Sequence, residues 1–284
     1  MSKIHVITDT DSNLPAELAN KYNIRQVPIT IQFGEESYAD NIDIQNPVLF
    51  DKIDRLGKLP TTAAPSPAAF SSAFKTAFDE GAESIICICV SSKISRTHES
   101  ALVAVDEFPG KKITVVDSEF LSLGQGFMAI TAAEALAAGA THDEAVAAAK
   151  SLISRMCLYG SLSTLKYLAL GGRVTNLAAS MANMLNIRPI LTIRDGKLDL
   201  LEKVRTRKAA MDRLVELIVN AVNGKPIERV CILHVLNLED AAILEKHLRD
   251  KLKMPEEVLV VDFGPGLSVH TGAGLVGAVV LTKE

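Results

Sequence analysis

Five side-chain hydroxyls fall within the ten residues SSKISRTHES: Ser91, Ser92, Ser95, Thr97 and Ser100. They follow an apolar run, Ile85–Val90, and precede a segment with helical spacing in which Ala101, Val105 and Phe108 share one side. Hydroxyls where a strand gives way to a helix can do two kinds of work. They can cap the helix, accepting from N–H groups that the first turn leaves without an intrahelical partner. They can also help to bind an anion, because those N–H groups and the positive end of the helix dipole already favour negative charge. The stretch alone leaves both readings open.

Other groups are candidates for different chemistry. Asp9-x-Asp11 follows the first apolar strand and resembles the opening of a haloacid-dehalogenase-type phosphatase, in which aspartates hold magnesium. Such an enzyme also needs a later lysine and paired acids at a strand end, whereas Asp262 stands alone. Capping and turn formation by DTDSN is the competing reading. A calcium loop is excluded, since Leu14 stands where glycine is required and Asn20 where the bidentate glutamate belongs. Cys87, Cys89, Cys157 and Cys231 show no zinc spacing and read as reduced, structural thiols.

HTGAGLVG contains G-x-G-x-x-G at Gly272, Gly274 and Gly277, but only seven residues follow it, too few for a dinucleotide fold. It and Gly124-x-Gly126 read as close-packing glycines. His270 lies in this glycine-rich segment, expected to be a loop before a buried strand. Arg173 follows Gly171-Gly172, read as a helix stop. Arg205 and Arg207 open a helix, where cations oppose the dipole; an anionic partner or a plain surface patch would explain them.

The elements that must position these groups alternate. Residues 3–8, Ile24–Phe33, Ile85–Val90 and 111–118 read as strands. Between them are helices begun by Ser12 or Asn13 with Pro15, by Asn46-Pro47, and by Ser66-Pro67 with Phe70, Phe74 and Phe78 along one face. This pattern predicts an N-terminal doubly wound, mostly parallel sheet over residues 1–155, with TDTDSN, SSKISRT and DSEFLS at its C-terminal strand ends, where such sheets take ligands. Residues 156–284 read as a second α/β domain with a mixed sheet, the boundary being approximate and open to a discontinuous division. Short helices are expected over Leu162–Leu170 and Leu177–Leu185. A hairpin follows at Asp195-Gly196, then helices over Thr206–Val222 and Leu238–Leu252, with strands at Arg229–Val235 and beyond.

The chain has 284 residues, a net charge of −4, 48% hydrophobic residues and no tryptophan. That supports a substantial core and gives no basic or aromatic platform for nucleic acid. The N-terminus lacks a signal segment. Phe263–Thr282 carries no charged side chain, but its five glycines and Pro265 disfavour a membrane helix. A cytoplasmic protein is expected, with no metal or cofactor.

Taken in order, VITDTDSNLP, TTAAPSP, VSSKISRTHESA, VVDSEFLSLGQG, LKYLALGGRV, the IRPILTIRDGKL hairpin, VRTRKAA and GLSVHTGAGLVG resemble the DegV family over essentially the whole chain. The resemblance implies a two-domain α/β carrier of one long-chain fatty acid, its carboxylate near the domain junction and its tail in an apolar tunnel. Matched motif by motif, Thr62 and Ser95 are the carboxylate-binding hydroxyls, and His270 and Arg173 stand close by. The partner implied is an ATP-dependent fatty acid kinase related to dihydroxyacetone kinase, which makes acyl phosphate for phospholipid synthesis; Arg205 and Arg207 are candidates for meeting it. Met181, Met184 and Leu185 are candidate tail lining or ordinary core. The chain departs from the family pattern at Ala63-Ala64, at Ala273 and at Arg96, which replaces a glycine and would either join the headgroup or narrow its entrance. A magnesium-dependent enzyme using Asp9 and Asp11, and a carrier of another amphiphile, are the alternatives.

Overall fold

The computed structural model describes residues 3–171 and 187–284. The expected helix Leu177–Leu185 lies outside the described residues, as do Arg173, Met181, Met184 and Leu185. The chain forms two compact units. One comprises Met1–Gln32, Glu36–Asp43 and Thr62–Ser154; the other comprises Phe33–Glu35, Ile44–Thr61 and Arg155–Glu284.

The first 154 residues contain, in order, β1 (Ile4–Asp9), a 3-10 turn (Thr10–Ser12), α1 (Ala16–Lys21), β2 (Ile24–Val27), β3 (Thr30–Phe33) and β4 (Glu36–Ala39). There follow α2 (Asn46–Leu56), β5 (Thr61–Ala63), α3 (Pro67–Asp79), β6 (Ser84–Cys89), α4 (Thr97–Val105), β7 (Lys112–Asp117), α5 (Leu123–Ala137) and α6 (His142–Ser151). β2, β1, β6 and β7 form a parallel sheet in that order. Every residue of β6 is buried, which is why its sequence is a continuous apolar run and not an alternation. Phe70 and Phe74 of α3 cover it, packed with Ile85, Cys87 and Cys89. Ser66 caps α3 as its sequence suggests, its Oγ accepting from Ala69 N–H at 3.2 Å with Pro67 in the first turn.

Two local expectations are corrected. Ile24–Phe33 is not one strand. Pro28, which has no N–H to give to a ladder, separates β2 from β3, and β3 joins a second sheet of order β4-β3-β5. Ser12 and Asn13 do not cap α1, which begins after Pro15 without a side-chain cap; they close the 3-10 turn, with Asn13 at φ 51°.

The remaining chain contains β8 (Met156–Ser161), α7 (Lys166–Gly171), β9 (Arg188–Arg194), β10 (Lys197–Val204), α8 (Arg207–Val222), β11 (Ile227–His234), α9 (Leu238–Lys251), β12 (Leu259–Asp262), α10 (Pro265–Thr271) and β13 (Val276–Thr282). The sheet is mixed, of order β10-β9-β8-β13-β11-β12, with β11 and β12 parallel and the other neighbours antiparallel. Asp195 (φ 48°) and Gly196 (φ 74°) make the hairpin turn between β9 and β10, as their residue types require. Leu214 and Ile218 of α8 and Leu244 and Leu248 of α9 pack on Ile190, Val230, Ile232 and Val280. β13 is buried throughout, which accounts for the uncharged C-terminal run. β8 went unread in the sequence, where Cys157, Tyr159 and Gly160 blur the alternation. Among the described residues no helix is long and apolar enough to cross a membrane.

Candidate functional site

The parallel sheet brings the C-terminal ends of β1, β6 and β7 to one edge, with Thr8 paired to Ile88 and Cys89 to Asp117. The three loops leaving that edge are bonded to one another. Ser118 N–H donates to Cys89 O at 3.1 Å, Ser91 N–H to Phe120 O at 2.8 Å, and Ser122 N–H to Asp11 O at 2.7 Å. After β6 the chain makes a single turn, closed by Ile94 N–H and Ser95 N–H donating to Ser91 O, both at 3.0 Å. This turn delivers the half-buried Ser95 to the head of α4. Its Oγ accepts from Thr97 N–H at 3.3 Å and lies 2.9 Å from Thr97 Oγ1. Ser95 therefore caps the helix with its oxygen. Its proton can be given to Thr97 or to an acceptor from outside the chain.

Arg96 follows at the head of α4 and makes no side-chain cap bond. Its side chain is 89% exposed, with Nε 3.8 Å from Glu99. The Arg96 guanidinium is thus held in solvent beside the turn. Thr62 is half-buried on β5, beside β3.

Asp9 is fully buried, and both carboxylate oxygens are occupied by donors of the chain itself. Oδ1 accepts from Asp11 N–H at 3.0 Å; Oδ2 accepts from Val90 N–H and Gln125 Nε2, each at 2.9 Å. Burial pushes the carboxyl up to about 7, against the opposing pull of those hydrogen bonds. A carboxylate so committed serves the loops, whereas a magnesium ligand needs lone pairs directed at the ion. Among the described residues no group of three or more His, Cys, Asp or Glu side chains is placed to hold a metal ion.

In the second unit His270 is not on a loop. It occupies the last turn of α10, a helix the glycine content had hidden. Gly171 packs against its ring: a methyl group at Gly171 would stand 2.6 Å from Nδ1. Gly272 (φ 77°) lies against the Tyr167 ring in the same way, and at Gly277 a methyl would meet Tyr159 O at 2.5 Å. Gly272 and Gly277 are close-packing glycines, as expected, and Gly171, expected only as a helix stop, is another. Arg207 donates from Nε to the buried Asp240 at 2.6 Å and lies 3.1 Å from Glu239. The anion that compensates a cation at this helix start therefore comes from the chain itself. Arg205 is exposed.

Thr62, Ser95 and Arg96 thus belong to the first unit, and His270, Arg205 and Arg207 to the second. Asp117 and Gln125, which hold the strand-end loops together, were missed as site residues. An aspartate closing an apolar strand was the available signal for the first; nothing marked the second. A cavity of about 370 Å³ over β1 and β2, which includes His5, Arg25 and Glu80, contains none of the expected site residues. A groove of about 460 Å³ between α8 and α9 contains none either.

The DegV family model, described as that of an uncharacterised protein family, matches residues 3–283. A DegV domain-containing protein of Streptomyces coelicolor is 31% identical over 280 residues, covering 99% of each chain. Among solved structures, a DegV family protein from Thermus thermophilus described for its fatty acid binding aligns with a TM-score of 0.91 at 30% identity, covering 99% of both chains. DegV from Bacillus subtilis, described as a fatty acid binding protein, aligns at 0.87 and 27% identity over the whole of both chains.

Proposed function

The chain belongs to the DegV family over residues 3–283, and on that premise we propose that it binds one long-chain fatty acid and hands it on without chemistry of its own. The carboxylate is held by the hydroxyls of Thr62, on β5, and of Ser95, at the head of α4, and His270 and Arg173 keep the supporting role that the family resemblance gives them. The tail runs in an apolar tunnel to which Met181, Met184 and Leu185 contribute. Burying a carboxylate without donors is very costly, and hydroxyls at a helix N-terminus supply them without a metal. Each buried methylene adds about 0.8 kcal/mol, so a long tail supplies most of the affinity.

The observation that carries this reading is the fatty acid binding of the Thermus thermophilus protein, which is 30% identical with a TM-score of 0.91. The loaded protein serves, in the cytoplasm, an ATP-dependent fatty acid kinase related to dihydroxyacetone kinase, which forms acyl phosphate for phospholipid synthesis. Arg205 and Arg207, both exposed, are the side chains offered to that partner.

Native mass spectrometry of freshly purified protein tests the ligand. An adduct of fatty-acid mass is expected. A different organic mass would replace the fatty acid by another amphiphile, and metal-dependent phosphate release by the protein alone would turn the reading to an Asp9/Asp11 enzyme. Formation of acyl phosphate from the loaded protein, kinase and Mg-ATP tests the partner.

A further inference from the structure

Two carboxylates grip the Ser95 turn from opposite sides, and the carrier reading gives neither a role. Asp9 ends β1 and Asp117 ends β7, the strands on either side of β6. Asp9 Oδ2 accepts from Val90 N–H, the first residue past β6, at 2.9 Å. Asp117 Oδ1 accepts from Ser92 N–H at 3.2 Å, and its Oδ2 accepts a short hydrogen bond from the Ser92 hydroxyl. Between them Ser91 N–H goes to Phe120 O at 2.8 Å. Three consecutive N–H groups at the root of the turn are thus each held by a neighbouring strand end or loop. Ser91 O then fixes Ile94 and Ser95.

The two carboxylates are themselves held. Gln125 Nε2 and Asp11 N–H donate to Asp9, and Glu119 N–H donates to Asp117 Oδ1 at 3.0 Å. Every group offered to them is a donor. An aspartate, with two accepting oxygens and no donor, matches that demand. At Asp9 an asparagine would turn an NH₂ towards one of the N–H groups, whereas at Asp117 it would meet the Ser92 hydroxyl, which can reverse and accept, so alanine is the change that removes that brace.

We propose that Asp9 and Asp117 are positioning residues for the headgroup, fixing the 90–95 turn so that the Ser95 hydroxyl meets the fatty-acid carboxylate; this rests on the reading of Ser95 as a headgroup donor. The Asp-x-Asp that resembles a phosphatase motif thereby acquires a use that needs no metal.

The test is Asp117→Ala in the full chain. Asp117 is only half-buried and its partner Ser92 is exposed, so the variant keeps its fold. Asp9→Asn is the companion. Delipidated protein is titrated calorimetrically with oleate, and hydrogen exchange is followed at the amides of residues 90–95. Asp117→Ala should weaken oleate binding about tenfold and speed exchange in the turn. Adding Ser95→Ala to it should cost little more, because both changes remove the same contact. A purely structural role would instead leave the Ser95→Ala penalty at its full wild-type size, and that result overturns the proposal. Unchanged exchange in Asp117→Ala overturns the bracing itself. Wild-type oleate affinity in Ser95→Ala alone overturns the headgroup reading, and the functional half of the proposal with it.

Discussion

Gly171, the last described residue of α7, lies against the imidazole of His270, so close that a methyl group on it would stand 2.6 Å from Nδ1. Gly171 is not in the left-handed region, so its own backbone would accept an alanine. What demands glycine is the ring across from it. The sequence reading of Gly171-Gly172 as a helix stop gives the residue a local reason, and the structure gives it a tertiary one.

Gly171→Ala should therefore overpack the α7–α10 contact, costing about 1–3 kcal/mol of stability, and should weaken fatty-acid binding by moving His270. Removing the ring relieves the clash, so Gly171→Ala/His270→Ala should melt higher than Gly171→Ala alone. Simple addition of the two single-variant losses, measured by thermal unfolding, would contradict the contact.

Thr62→Ala and Ser95→Ala should each lower the affinity for oleate or palmitate by about 0.5–3 kcal/mol, the range for a lost hydrogen bond to a charged group. Both proteins should retain the wild-type circular dichroism spectrum. Undiminished affinity in the double variant would remove these residues from the headgroup site.

Asp9 makes the stability depend on pH. Its carboxyl is raised from 3.8 to about 7 in the folded chain. Between those values the native state binds more protons than the unfolded one. The stability this group contributes is therefore fully present below about 4, the ordinary carboxylate range, and lost as pH rises through about 7. The midpoint difference between wild type and Asp9→Asn should accordingly shrink from pH 5 to pH 7.5 and stay level above that. A difference that stays level over this interval would mean that the buried carboxyl is ionised throughout.

Arg205 and Arg207 should separate. Reversal of Arg207 to Glu leaves the buried Asp240 without its cation and places a like charge beside Glu239, so the thermal midpoint should fall. Arg205→Glu should spare the midpoint and oleate affinity while raising the apparent KM for this protein in the kinase reaction, most at low salt. Equal KM effects with equal midpoints would return both arginines to the same surface role.

Much of the architecture was legible because the signals are local. A buried apolar run, a Ser-Pro helix start at Ser66-Pro67 and an Asp-Gly turn at 195–196 each act through dihedral preference or side-chain period within a few residues. They sufficed for a parallel sheet followed by a mixed one. The ordered motifs added the family, and with it the expectation for Thr62 and Ser95.

The rest depends on contacts between residues far apart in the chain. Whether Asp9 is a metal ligand or a brace is decided by Val90 and Gln125, which lie 81 and 116 residues away. Whether Arg207 seeks an outside anion is decided by Asp240, 33 residues on. His270 sits on a helix in a segment whose glycines argue against one, and two of those, Gly272 and Gly277, are required by Tyr167 and Tyr159. Composition and spacing record which groups a chain carries and which backbone angles they favour. Whether a buried donor or acceptor has a partner is a through-space condition, met only when the strands and helices have packed.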